Sequence, residues 1–452
     1  MATTETQTPR RAVIVVDGEG DKPKEVGETT ITEKHETSLT DKVTDKVVPA
    51  LMARLSRWLE RDPPPEHDEL LTLFTARLTD MAANKLAKQW SARYLAVDSK
   101  ERRALLSALA QASSSLEPRE DLGLRMFRRL YAQAESLLLL VELRADMLRW
   151  RKQLAGLTVM ERELEGLLST WFDVGMLELR PITWDSPASL LEKLIQYEAV
   201  HEIRSWEELK HRVAGHRRCY AFFHPRMQDV PLIFVEVAFA VQMAGNVQVL
   251  LDPQIPPDDA GKARWAIFYS ISNTQPGLRG ISFGNFLLKR VIDELLRELP
   301  RLKGFATLSP IPGFAEWLGK QEGTALQAML SDKSDKEQAL NDPEAGQKWV
   351  DRLRSAAAGQ ASNAVQRTGL RLAVHYLKTM KNGQPIDPVA RFHLGNGARI
   401  ERLNWAADCS AKGMEQSCGI MVNYLYDLDQ LDDNLALLAQ GKPKVGMNLR
   451  WR

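Results

Sequence analysis

A glycine-rich loop and a few dispersed hydroxyl and imidazole side chains carry the chemistry open to this chain. The loop reads TQPGLRGISFGN from Thr274 to Asn285. Gly277, Gly280 and Gly284 lead into a stretch in which Phe286, Leu287, Val291, Leu295 and Leu299 share one face of an amphipathic helix. Such a loop leaves backbone N–H groups aimed at a common point, and the helix dipole adds partial positive charge, so it suits a phosphate. Arg279 brings a full charge to the same place. A tight turn that holds no ligand is the plain alternative. The glycine spacing is not that of a dinucleotide loop, and no Gly-Lys-Ser/Thr follows as in a P-loop.

Further along, His393 sits in FHLGNGA and Ser309 in LSPIPGF. An imidazole with an ordinary pKa of about 6.5 can give up a proton at neutral pH and recover it from water. Beside a Gly-Asn-Gly turn it can equally be a structural histidine. Ser309, at a strand end before Pro310, either caps a turn or offers a hydroxyl to a partner. Ser309 itself sits in no G-x-S-x-G elbow of a hydrolase nucleophile. Asn396, Asn404 and Asp408 could orient His393, or they could only shape turns. With no His/Cys/carboxylate cluster at ligand spacing, no metal is expected.

These residues need elements to hold them. Ala266 to Ile271 is an aromatic and β-branched run that reads as a strand, stopped by Ser272 and Asn273. Upstream, residues 1–42 carry no Phe, Trp or Tyr and are expected to be disordered. Residues 43–174 read as a bundle of five to seven helices, with stripes at Leu51, Leu55 and Leu59, at Leu70, Leu73 and Leu78, and around Leu137 to Leu148. Breaks are expected at Pro63 to Pro65, near Asp98-Ser99 and near Pro118. From about Leu177 the pattern changes. LELRPITW reads as a strand, a helical stretch reaches about Val213, and Tyr220 to Phe223, Leu232 to Ala240 and Val247 to Leu251 read as further strands. Residues 319–362 look like a helical, polar surface insertion, and short strands are expected near Phe392 and Ile400. The fold class is therefore α+β: an N-terminal all-helical bundle, then a mixed α/β domain over 175–452.

Composition narrows the function. With 60 basic and 59 acidic residues among 452, the net charge is +1, so no global field recruits nucleic acid or an anionic membrane. The 44% hydrophobic and 26% charged content fits a globular protein with a large core. Three cysteines, Cys219, Cys409 and Cys418, have no metal spacing and an odd count, which suits a reducing cytoplasm. Even LLLLVEL, Leu137 to Leu143, is bounded by Glu135 and Arg144, so no membrane span is expected. Neither an export signal nor a peroxisomal tripeptide is evident.

The order Gln275, Gly277, Arg279, Gly280 resembles the pyrophosphate loop of the GNAT acyltransferase superfamily. LSPIPGF, FHLGNGA, Asn404-Trp405 and NYLY at Asn423 to Tyr426 together resemble the malonyl-CoA decarboxylase family, whose catalytic domain is a divergent member of that superfamily. The similarity runs from about Leu177 to about Leu428 and continues more weakly over the preceding helices. It implies a GNAT-like catalytic domain that binds malonyl-CoA and releases acetyl-CoA and CO2. In that comparison Gln275, Gly277, Arg279, Gly280, Ile281, Ser282, Phe283, Gly284 and Asn285 grip coenzyme A. His393 and Ser309 fall on catalytic positions, Tyr426 on an active-site tyrosine and Ser270 on a serine of the bent strand. Animal members carry an acid where this chain has Ser282. The family habit also implies a homo-oligomer, a tetramer through the helical domain. Two rival readings are an acyltransferase moving the acyl group to an amine and a non-catalytic CoA-binding scaffold. Malonyl-CoA supplied without an acceptor separates them, since only a decarboxylase then makes acetyl-CoA and CO2.

Overall fold

The computed structural model describes residues 65–116, 121–134, 137–254, 260–281, 287–330, 333–340, 342–359 and 362–449. The expectations for residues 1–42, for Leu51, Leu55, Leu59 and Pro118, and for Ser282, Phe283, Gly284 and Asn285 fall outside them.

Six helices occupy residues 67–171 among the described residues: α1 His67–Thr75, α2 Met81–Ala96, α3 Ser99–Ser114, α4 Leu122–Ala134, α5 Leu137–Trp150 and α6 Leu157–Trp171. The break expected near Asp98-Ser99 separates α2 from α3, and Asp98 caps α3 by accepting from the amides of Lys100 and Glu101, both at 2.9 Å. The apolar stripes face inward, so Leu73, Phe74, Leu106, Leu140 and Leu164 are wholly buried. Leu78 is instead half exposed, because the chain turns between α1 and α2.

The mixed part begins with β1 Glu178–Ile182, then α7 Ala188–Tyr197, α8 Trp206–Val213, β2 Arg217–His224 and β3 Met227–Ala240. Strand alternation shows directly in β2: Cys219, Ala221 and Phe223 face a small core with Leu191, Leu194 and Leu209, whereas Tyr220 and Phe222 face the main core. That main core is continuous with the helical part, joining Leu140, Leu168 and Phe172 to Val235, Val237 and Phe268. The eight-stranded sheet has the order β1, β2, β3, β4 (Trp265–Asn273), β5 (Gly304–Thr307), β10 (Met421–Leu425) and β6 (Ser309–Pro310), with β9 (Arg399–Asn404) also paired to β10, while β7 (Met380–Lys381) and β8 (Gln384–Pro385) pair by themselves.

At its centre, β4 Trp265–Asn273 pairs antiparallel with β3 and parallel with β5 Gly304–Thr307. The parallel register covers only Trp265 to Phe268 against Gly304 to Thr307. Beyond it β4 runs on to Asn273, while the chain past β5 forms β6 Ser309–Pro310 on β10. The two strands part there and leave a wedge.

Three expectations need correction. Val247–Leu251 is a one-turn helix, α9, despite its β-branched run. Asn246 accepts from the Val249 amide at 3.0 Å, and this cap overrides a weak strand propensity. Phe392 lies in a helix, α16 Pro388–Gly395, started by Asp387 as cap and Pro388 in its first turn. Ile400 is in β9 as expected. Residues 319–362 are helical but not peripheral, since Leu326, Trp349, Val350 and Leu353 join the main core.

Candidate active site

His393 sits in the last turn of α16, placed by the cap below it. Asp387, wholly buried, accepts from the Ala390 amide at 2.7 Å, which fixes where the helix starts and so where its last turn ends. The imidazole stacks on Tyr424, ring centroids 4.6 Å apart. Its Nε2 lies 3.2 Å from Ser309 Oγ and its Nδ1 2.8 Å from the Tyr426 hydroxyl. Three residues remote in sequence thus form one hydrogen-bonded row.

Counting hydrogens assigns the row's direction. Ser309 has one hydroxyl hydrogen, and it goes to Thr307 Oγ1 at 2.8 Å. The contact to His393 therefore needs its hydrogen on Nε2, which leaves Nδ1 to accept from Tyr426. Burial pushes the phenol of Tyr426 well above its ordinary pKa, so it keeps the proton this bond requires. Burial also pushes His393 down from 6.5 to about 3. The expectation of an imidazole with an ordinary pKa is thus corrected: with no ligand present the ring is neutral at pH 7.

His393 and Ser309 line a cavity of about 210 Å3 with Phe268, Ser270, Ile271 and Val389. It fills the wedge where β4 and β5 part. Ser270 faces it from β4, but its hydroxyl is spoken for, lying 2.8 and 2.7 Å from the two carboxylate oxygens of Glu198. Ser272 Oγ and the amides of Val200 and His201 also donate to Glu198. Four further residues, outside the sequence motifs, bear on the site. Thr307 is two residues before Ser309, and strand periodicity could have flagged it. Glu198, 72 residues from Ser270, carries no local signal. Asp387 could have been found from the Asp-Pro pair that opens a helix. Arg391 lies one turn before Gly395 on the same helix.

The loop borders a second and larger cavity of about 770 Å3, whose walls include Gln275, Arg279, Gly280, Ile281 and, from across it, Arg391. Asn273 and Phe392 belong to both cavities, so the two adjoin. Arg279 and Arg391 bring two positive charges to one cavity, which suits a diphosphate; the Arg391 guanidinium donates through Nε and Nη2 to the Pro385 carbonyl at 3.2 and 3.1 Å. Gly277 belongs to a short 3-10 turn, Pro276–Leu278, and Gly280 has φ +85°, the left-handed region that glycine tolerates. The loop is less open than expected. The amides of Leu278, Arg279 and Ile281 close turns onto the carbonyls of Gln275, Pro276 and Leu278. Gln275 is anchored too, donating to the Pro231 carbonyl at 3.2 Å.

None of the three residues considered as orienters touches the imidazole. Asn396 donates to the Phe392 carbonyl, Asn404 to Asn423, and Asp408 accepts from Gln248. Tyr426 holds the ring instead. Among the described residues no group of three His, Cys, Asp or Glu side chains is placed to hold a metal ion. No helix among them is long and apolar enough to cross a membrane.

The family model described as malonyl-CoA decarboxylase C-terminal domain matches residues 175–446, and that described as malonyl-CoA decarboxylase N-terminal domain matches 82–172. This chain belongs to the malonyl-CoA decarboxylase family. It is 40% identical over 313 residues to the mitochondrial malonyl-CoA decarboxylase of Rattus norvegicus, across 65% of this chain and 63% of that protein. The chain thus spans somewhat under two thirds of the rat relative's length. Against the Anser anser anser protein of the same name it is 37% identical over 366 residues, 77% of this chain and 72% of that one. Among solved structures, malonyl-CoA decarboxylase from Cupriavidus metallidurans superposes with a TM-score of 0.75 at 51% identity, covering 84% of this chain and 97% of that one. The Rhodopseudomonas palustris decarboxylase gives 0.70 at 38% identity, with coverage of 86% and 100%. The helical part followed by a mixed sheet is thus the architecture of a malonyl-CoA decarboxylase family member.

Proposed function

We propose that this protein decarboxylates malonyl-CoA to acetyl-CoA and CO2. The observation that carries the reading is the row Tyr426–His393–Ser309 on the wall of a small cavity that adjoins a larger one bearing two arginines. The larger cavity takes the phosphates of CoA at the loop, with Arg279 and Arg391 as counter-charges. The acyl group reaches past Phe392 into the wedge.

The thioester carbonyl is its own electron sink, so the reaction calls for neither an organic cofactor nor a metal. The bond from Cα to the carboxylate breaks, its electron pair enters the enolate, CO2 leaves, and Cα takes one proton. His393 supplies that proton. Neutral in the free protein, the ring is drawn toward its charged form when the malonyl carboxylate enters beside it, because an opposite charge in a dry cavity raises an imidazole pKa. Tyr426 can then turn from donor to acceptor. Once CO2 has gone, the imidazolium, through Ser309 or directly, protonates carbon and the ring returns to neutral. A proton therefore enters with the substrate and leaves on the product.

A cytoplasmic homo-oligomer, a tetramer through the helical part, completes the proposal, and light scattering tests its assembly. Activity is tested by giving malonyl-CoA with no acceptor and following acetyl-CoA. His393→Ala and Ser309→Ala should lose about 100-fold to 10,000-fold in kcat while still binding CoA. Wild-type turnover in both would overturn the assigned roles, and untouched malonyl-CoA with the unaltered protein would overturn the activity.

A further inference from the structure

We propose that Arg144, a residue of the helical part, is a positioning residue that clamps the CoA loop from below; the inference rests on reading that loop as the CoA grip.

Arg144 is buried on α5 and uses every face of its guanidinium. Nε and Nη2 meet Glu161 at 3.0 and 2.9 Å, and Nη2 also reaches Glu165 at 3.3 Å. Nη1 donates to two loop carbonyls, Gly277 O at 2.7 Å and Arg279 O at 2.9 Å. The loop is pressed onto the same helix: a Cβ added to Gly277 would lie 1.8 Å from the Val141 carbonyl oxygen. Glycine at 277 is therefore a condition of the docking, not a device for flexibility.

The clamp has a directional consequence. A trans peptide points its carbonyl and the following N–H in opposite directions. Holding Arg279 O against α5 turns the Gly280 N–H away from the helix, toward the side on which Arg279 and Gly280 border the large cavity. The Arg144 fork thus sets which way the loop's donors face, and Glu161 and Glu165 keep the fork from turning. A lysine would keep the charge beside Glu161 but, as a point donor, could not hold both carbonyls and both acids. On this account the helical part belongs to the substrate site, and its contribution is made at the diphosphate rather than at the carbon that reacts.

The test compares the unaltered protein with Arg144→Lys and Arg129→Lys. Arg129 is an equally buried clasp within the bundle, donating to the carbonyls of Leu73, Ala76 and Arg77 and to Asn84 Oδ1, none of them on the loop. Arg144→Lys should raise KM for malonyl-CoA and Kd for CoA by about tenfold or more, with kcat within about threefold of wild type. Arg129→Lys should leave both constants unchanged even if it lowers Tm. An unchanged KM in Arg144→Lys, or equal rises in the two variants, overturns the proposal. Hydrogen exchange on the unaltered protein does not depend on either variant folding. Added CoA should slow exchange over 137–150 as well as 275–281, but not over 81–96, and slowing confined to the loop overturns the clamp. If the unaltered protein neither binds CoA nor turns over malonyl-CoA, the reading of the loop fails and the clamp fails with it.

Discussion

A buried histidine that is neutral in the folded protein makes the fold sensitive to acid in a calculable way. His393 has its pKa pushed down from 6.5 to about 3 by burial. Its ordinary value applies in the unfolded chain, so between these values the unfolded state binds more protons, and stability falls as the pH falls. The contribution is fully present above pH 6.5 and is lost progressively toward pH 3. At pH 5 the unfolded chain's preference for the proton amounts to about 1.5 pH units, or about 2 kcal/mol relative to pH 7.5. Replacing His393 with Gln keeps a polar side chain of similar reach and removes the titration. The assay is equilibrium urea unfolding of both proteins at pH 7.5 and pH 5, comparing the losses rather than the absolute values. His201, His224 and His375, also pushed down by burial, titrate in both proteins and cancel. Wild type should lose about 2 kcal/mol more than His393→Gln. Equal losses would refute the neutral imidazole, and with it the claim that the proton arrives with the substrate.

Three further outcomes follow from the same hydrogen-bonded row. Malonyl-CoA binding to Ser309→Ala at pH 7.5 should take up close to one proton per site more than acetyl-CoA binding, read by calorimetry in buffers of different ionisation enthalpy; equal uptake argues against His393 as the group that charges. Tyr426→Phe removes the donor to Nδ1 and should lower kcat about fivefold, the effect of one neutral hydrogen bond of about 1 kcal/mol in an ordered site, with KM nearly unchanged; a wild-type kcat sinks the tautomer assignment. Ser270→Ala should stay within about tenfold of wild type, far milder than Ser309→Ala, because the Ser270 hydrogen already serves Glu198; losses of equal size would make Ser270 a donor to substrate.

Local signals were legible in the sequence wherever one segment decided the outcome. The strand over Ala266 to Ile271, which the structure extends to Trp265–Asn273, the glycine turn and the helix break near Asp98 all depend on residues within a few positions of one another. Val247–Leu251 and Phe392 were misread as strands because apolar propensity is weak over five residues, and the capping residues beside them, Asn246 and Asp387, settle the matter. Pairing at a distance was not legible. His393 to Tyr426 spans 33 positions and Ser270 to Glu198 spans 72, and nothing in the composition of either segment names its partner. The family motifs supplied His393, Ser309 and Tyr426 together, but they could not supply the depth of burial that makes the imidazole neutral. Arg144 was visible only as the charge that ends an apolar run. Its partners lie 133 and 135 residues away, on the loop.

The wedge explains why these pieces meet where they do. While β4 and β5 remain paired, from Trp265 to Phe268, every backbone group between them is spent on the sheet and no ligand could enter. Pairing stops at Phe268 and Thr307, and the two serines lie just past that point, Ser270 on one diverging strand and Ser309 on the other. Ser270 is tied outward to Glu198 and Ser309 inward to Thr307 and His393, so the walls of the opening are held by side chains in place of the lost ladder. The open end reaches Asn273, where the loop begins and the large cavity adjoins the small one. A CoA thioester laid along this opening would have its diphosphate at the loop that α5 clamps and its acyl group at the narrow end, against an imidazole whose charge depends on the carboxylate brought to it. On the proposed reading, the break in strand pairing would fix the direction of the substrate, and burial at the narrow end would tie the proton to the substrate that needs it.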